Sequence, residues 1–279
     1  MVILDEKKVK IGDEDTVARM LPRIEARSVG PFVLIDHMGP VEVDNMVVLP
    51  HPHIGISTLT FLYEGASIHR DTMGAKQEIH PGEVNLMVSG SGCAHSERSL
   101  QTNQQMHGLQ IWLALPEDQQ DTDPAFFHIG KDQLPGWQQA GADFKLVLGE
   151  ILGQKSPVPN HGEGYMLDVQ TQTTTTLQAA EFTHEQHGVY VLNGSVKIDG
   201  NVINTLQMGL LEPESSTSIE ISADTHVVFF GGKALAKRRH MWWNFVHTER
   251  EAIEKAKDRW RNQQFGQVAE ETDFVPLPE

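Results

Sequence analysis

Residues 48–74 read VLPHPHIGISTLTFLYEGASIHRDTMG, and the way their side chains alternate decides the fold. Val47 to Leu49 and Ser57 to Tyr63 are apolar, β-branched runs of strand length, and Gly65 and Gly74 interrupt them at short intervals. Further along, Glu83 to Val88 and Leu109 to Leu115 repeat the pattern, broken by Pro81-Gly82 and by Gly90-Ser91-Gly92. Strands this short and evenly punctuated predict a small all-β barrel or sandwich.

The polar, turn-rich stretch 116–124 (PEDQQDTDP) reads as the exit from this first domain. A second strand-rich block follows, clearest at Lys145 to Ile151, Val189 to Leu192, Ser195 to Ile198 and Val227 to Phe230. Asp199-Gly200 signals a hairpin, because both central positions of a type I′ turn need positive φ. LTFLYEGASIH (59–69) and VYVLNGSVKI (189–198) echo each other. Placing Gly65 on Gly194 without gaps sets Ala180 and Phe182 where His51 and His53 stand, so a duplicated second copy has lost its polar residues. Near the end, Thr248 and Glu251 read as a capping box opening a helix with Ala252, Ile253, Ala256 and Trp260 on one face and Gly266 as its stop. That helix is expected to dock on a barrel and to carry packing, not chemistry.

Composition bounds the function. The 279 residues are 39% hydrophobic, enough for a sizeable core. A formal net charge of −16 argues against a general nucleic-acid binder, and the short basic run Lys237-Arg238-Arg239 reads as a solvated loop. Cys93 is the lone cysteine, so no internal disulfide framework exists. Residues 1–16 carry charges from Asp5 onward without an apolar run, and no stretch of about 18 apolar residues occurs, so neither a signal peptide nor a membrane helix is expected. A cytoplasmic protein without membrane or direct nucleic-acid partners, and by default a monomer, fits these features.

His51-Pro52-His53 places two imidazoles at i and i+2, on one face of a strand. With 14 histidines in the chain, one such pair is unremarkable. His95-Ser96-Glu97 repeats the spacing directly after the glycine-rich turn 89–92. Two same-face pairs on neighbouring strands would turn three imidazoles and one carboxylate to a common point, a mixed set that suits first-row metals, Fe(II) foremost. Purely structural zinc sites usually use thiolates, which one cysteine cannot supply. On spacing alone, the alternative that these are ordinary turn and surface residues stays open.

The surrounding sequence resembles the pirins, a branch of the cupin superfamily. The likeness runs through residues 48–74, HPGEVNLMVSGSGCAHSE (80–97), MHGLQIWLALP (106–116) and MWWNFVHTEREAIEKAKDRWRNQQFG (241–266), and ends in FVPLP (274–278). It implies an all-β bicupin of two jelly-roll-type barrels with a C-terminal helix. The expected division is a metal-binding cupin over 1–125, a second cupin without metal over 126–240, and a helix and tail over 241–279 packing back on the barrels. The family's ligands fall on His51, His53, His95 and Glu97. The resemblance also implies a metal-dependent dioxygenase that cleaves quercetin or a related flavonol with O2, as quercetin 2,3-dioxygenases do, with Glu97 as the proton acceptor. Mn, Co, Ni, Cu and Zn accept the same ligands. The rival expectations are a metal-dependent regulator acting through protein contacts and a binding module whose metal is structural.

Around the site, His69, Asp71 and His107 are candidates for orienting the ligands. His80 is expected to be exposed in a turn. Phe61, Met87 and Trp112 read as barrel packing, with lining of an aromatic pocket as the alternative. His184 and His187 have no accompanying pair and are left out of the site. Two departures from the family pattern stand out: the basic segment KALAKRRH (233–240), and Cys93, which shares a face with 95 and 97 and reads as a small buried apolar residue.

Overall fold

The structure, a computed structural model, describes residues 1–11, 15–211 and 218–278. It is built of antiparallel strands, with one α-helix, Arg250–Arg261, among the described residues. No helix among them is long and apolar enough to cross a membrane.

Contacts divide the chain into two units, the first made of 9–17, 35–131 and 236–279, the second of 1–8, 18–34 and 132–235. This differs from the boundaries read at 125/126 and 240/241, because both ends of the chain pair at long range. Val2–Asp5 lies antiparallel to Gln207–Leu211, with Val2 opposite Leu210. Ala125–Ile129, beyond the polar stretch 116–124, still pairs with Val84–Val88.

In the first unit a four-stranded sheet runs Val47–His53, Cys93–Ser99, Ser67–Asp71, Lys76–Ile79. A larger sheet contains, in order, Ala125–Ile129, Val84–Val88, Ile56–Glu64, Gln104–Ala114 and Phe32–Val43. Ile56–Leu62 and Val84–Val88 are buried at every position, so these strands are covered on both faces and their hydrophobic runs are nearly continuous.

The second unit repeats the order. Its smaller sheet runs Thr175–Gln178, Ser218–Ile221, Ser195–Ile198, Asn201–Asn204. Gly65 and Gly194 both take positive φ, 78° and 86°, at the same bend, and Asp199 and Gly200 (47° and 80°) make the expected tight hairpin, with Ile198 opposite Asn201. Strand register supports the echo, gap-free from Val48 to His69 and seven residues shorter at Glu97. Val48 pairs with Glu97 as Leu177 pairs with Ile219, and His69 pairs with Glu97 as Ile198 pairs with Ile219. The same offset puts Ala180 at His51, in a 3-10 turn, and buried Phe182 at His53. Where the first barrel has His69 and Glu97, the second has Ile198 and Ile219, packed in one apolar cluster with Leu177, Val196, Ile203 and Ile221.

The helix docks on the first barrel through Ile253, Ala256 and Trp260, which join Ile54, Ala94, Phe245 and Phe265. The expected capping box does not form. Thr248 instead exchanges two hydrogen bonds with Gln120, accepting at Oγ1 from Nε2 (2.8 Å) and donating its N–H to Oε1 (3.1 Å). Glu251 turns to Lys255 (2.8 Å). The helix ends at Asn262, and Gln263, at φ 54°, turns the chain ahead of Gly266.

Candidate metal centre

The ligand geometry begins with a bulge. Cys93 lies opposite His53 and His95 opposite His51, but Glu97 falls opposite Val48, so the Val47–His53 strand carries one extra residue at Leu49-Pro50. Proline lacks the N–H that an unbroken ladder would need, which suits it to this place. His51 Nδ1 lies 2.9 Å from the Leu49 carbonyl, to which it donates, and this leaves Nε2 with a free lone pair.

His51, His53 and His95 bring one ring nitrogen each within 4.8 Å of the others. His53 Nε2 and His95 Nε2 are 3.1 Å apart. Burial pushes the His51 imidazole down to about 4, and burial together with the neighbouring rings holds His53 and His95 well below their ordinary value. All three are therefore neutral, the form that binds a metal.

Glu97 is placed one step away. It groups within 4.8 Å with His95 and His69, so His95 is common to two clusters. His69, read from sequence as an orienting partner, thus lies as near the centre as Glu97 does. Its Nε2 donates to Asp71 Oδ2 (3.0 Å), and its Nδ1 faces His95 Nδ1 at 3.2 Å. Asp71 is itself fixed, because Oδ1 accepts the N–H groups of Met73 (2.9 Å) and Ala75 (3.0 Å). The i, i+2 spacing of His69 and Asp71 was visible in the sequence, but their closeness to Glu97 depends on the register His69 to Glu97 across two strands.

Burial raises the Glu97 carboxyl above its ordinary value, opposed by His69 and by the Thr60 hydroxyl. Thr60 Oγ1 lies 3.3 Å from Glu97 Oε1 and 2.9 Å from Gln110 Oε1, yet it has one proton to give. Gln110 Nε2 is buried without a partner. Turning that amide by 180° lets Nε2 donate to Thr60 and commits the Thr60 proton to Glu97. Among the described residues, no ion pair compensates Glu97. Three neutral imidazoles beside a desolvated carboxylate fit a divalent transition metal.

Aromatic rings flank the cluster. Trp112 meets His53 edge-on at 5.1 Å, and Phe126 stacks on His69 at 4.5 Å. Met87 and Trp112 both sit opposite Thr58 and share its face, whereas Phe61, three residues on, points to the other side of the sheet. Cys93 joins neither cluster. Its thiol is buried, lies 3.3 Å from Thr72 Oγ1 and is pushed up to about 11 by burial, so it stays protonated. His107 pairs with His37 (2.9 Å) away from the centre, and His80 is exposed in its turn. In the second unit His187 Nδ1 meets the Tyr165 hydroxyl (2.9 Å), and among the described residues His184 and His187 belong to no ligand group.

Comparison with known proteins identifies the family. Residues 14–113 match the family described as Pirin, and 166–266 match the Pirin C-terminal cupin domain. A "Pirin-like protein" of Caulobacter vibrioides is 34% identical, covering 100% of this chain and 99% of its own length. A crystal structure of quercetin 2,3-dioxygenase from Acinetobacter baumannii superposes with a TM-score of 0.93 at 30% identity, over 100% of this chain and 95% of that one. The fold also recurs in the Escherichia coli bacterial pirin YhhW in complex with nickel(II), with a TM-score of 0.64 at 21% identity over 84% and 100% of the two chains. With both cupin domains matched and the likeness running along its whole length, the chain belongs to the pirin family.

Proposed function

We propose that this pirin is a metal-dependent dioxygenase that opens the central ring of quercetin or a related flavonol, taking up one O2 and releasing one carbon monoxide. The observation that carries the reading is the convergence of three neutral imidazoles, with the half-buried, desolvated Glu97 carboxylate grouped on one of them, His95. His51, His53, His95 and Glu97 would hold the ion. A first-row divalent metal there, Fe(II) being the best match to the donor set, supplies a Lewis acid for the enol oxygen and a route for electrons to O2.

The protein's own groups do the rest. Glu97 accepts the proton of the substrate's 3-hydroxyl, because a ligand carboxylate has a second oxygen close to the substrate oxygen. Thr60 holds Oε1 and leaves Oε2 to receive that proton. Trp112 and Phe126 offer ring faces and edges to a flat aromatic ligand. Burial of His53, His69 and His95 (1%, 4% and 2% exposed) keeps water from the reacting carbon.

The test is anaerobic loading of metal-free protein with Fe(II), Mn(II), Ni(II), Cu(II) or Zn(II), followed by aerobic quercetin consumption with carbon monoxide measured. Turnover with at least one metal, absent in His53→Ala, is expected. Glu97→Gln should keep some metal and lose turnover, and wild-type turnover in that variant would remove Glu97 from the role of base. Tight metal binding without turnover of any flavonol would refute the flavonol reading, in favour of a different small substrate or of a regulator that acts through protein contacts.

A further inference from the structure

The strands that carry the candidate ligands have a second face, and residues 266–278 lie along it. On Cys93–Ser99, His95 and Glu97 alternate with Ser96 and Arg98, so the second pair points away from the metal cluster. Ser96 Oγ donates to Glu271 Oε1 (2.9 Å), as does Arg98 Nε (2.8 Å), and Arg98 Nη2 donates to Oε2. On Ser67–Asp71, Arg70 alternates with His69 and Asp71 and donates to Glu270 Oε2 at 3.1 Å. Lys76, on the next strand, reaches Glu270 Oε1 at 2.6 Å. On Val47–His53, the carbonyl of Pro50, in the bulge just before His51, accepts the Val275 N–H at 2.9 Å. Trp260 Nε1 ties the Val275 carbonyl to the helix at 2.9 Å. One short segment thus touches every strand of the sheet that bears His51, His53, His69, His95 and Glu97.

The Glu270 pairs are exposed, but those of Glu271 are not. Glu271 is 6% exposed and Ser96 is fully buried. Two of its three donors come from one arginine in a forked arrangement, which fixes direction as well as distance. Because successive side chains share a rigid backbone, fixing Ser96 and Arg98 from outside fixes the aim of His95 and Glu97 inside.

We infer that the 266–278 segment is a clasp that sets the geometry of the metal ligands, with Glu271 as the positioning residue for His95 and Glu97. The inference rests on the metal-binding reading above. Releasing the clasp lets the two ligand strands shift against each other at the Leu49-Pro50 bulge, where the ladder is already interrupted. Supporting groups around metal ligands typically change affinity by about 10–100-fold when lost.

The experiment is Co(II) titration of metal-free protein, read by the visible ligand-field bands and by competition with a chelator. Wild type, Glu271→Gln, Glu271→Asp, Ser96→Ala and His53→Ala are compared. Lys255→Gly is the control, because it weakens the exposed face of the helix without touching a ligand strand. Expected results are one ion bound by wild type, affinity lowered about tenfold or more with altered bands in Glu271→Gln, part of that restored in Glu271→Asp, and no change in Lys255→Gly. Should Glu271→Gln not fold, Ser96→Ala, which removes one hydrogen bond and no charge, is read by the same criteria. Unchanged affinity and bands in the folded clasp variant, or an equal loss in Lys255→Gly, would overturn the clasp alone. Absence of binding by wild type, or binding by His53→Ala as tight as wild type, would overturn the metal reading and the clasp with it.

Discussion

Proton release on metal binding gives a direct measure of how the three imidazoles are held. An ordinary histidine, with a pKa near 6.5, is about three-quarters protonated at pH 6, so three of them would shed about 2.3 protons to a metal. Affinity would then fall about a thousandfold between pH 7.5 and 5.5. Here burial has already removed those protons. With His51 at about 4, its protonated fraction at pH 6 is about 0.01, and His53 and His95 are shifted in the same direction. The sign is that of a depressed pKa: lowering the pH from 7.5 to 5.5 leaves the ligands free. Glu97, raised by burial, can add at most one proton. Calorimetric titration with Co(II) at pH 6, in two buffers of different ionisation heat, counts the protons. We expect one or fewer, with an affinity that changes far less than a thousandfold across the range. Release of two or more protons would refute the argument that burial keeps this cluster neutral.

Three further outcomes follow from packing and hydrogen bonding. Trp260→Ala should cost about 3–5 kcal/mol in urea unfolding, since it empties a site 6% exposed and strands the Val275 carbonyl; a loss below about 1 kcal/mol would contradict the docking described. Asp71→Ala removes the acceptor for His69, Met73 and Ala75, and a destabilisation of about 3 kcal/mol is expected in the same assay. Gly55→Ala forces a side chain at φ +69° onto the Val246 carbonyl oxygen, so a fall of about 2 kcal/mol or more should appear as a lower melting temperature.

Much of this molecule could be read directly from the chain. Short alternating runs and turn glycines predicted the strands, and the spacing at 51/53 and 95/97 marked same-face pairs, because i, i+2 geometry in a strand is local; that His51, His53 and His95 meet depends on how their strands pair. What escaped was long-range. Thr248 looks like a helix cap, yet its partner is Gln120, 128 residues away, and that contact displaces the local motif. Glu270 and Glu271 sit in a polar stretch without periodicity, and their partners lie 173 to 200 residues upstream. His69 was legible as a partner of Asp71, but its place beside Glu97 is set by strand register, which spacing along one strand does not encode.

The interleaved ends of the two units have a consequence for how the protein is made. Domains usually fold in the order in which the ribosome delivers them. In this chain the first barrel waits for residues 236–279, which follow the whole of the second barrel. Ribosome-bound intermediates therefore carry the ligand strands with one face of their sheet bare, while the second barrel, whose segments all precede residue 236, is already complete. Synthesis itself thus orders the events, and the sheet that bears His51, His53, His95 and Glu97 is covered only after every segment of the second barrel has been made.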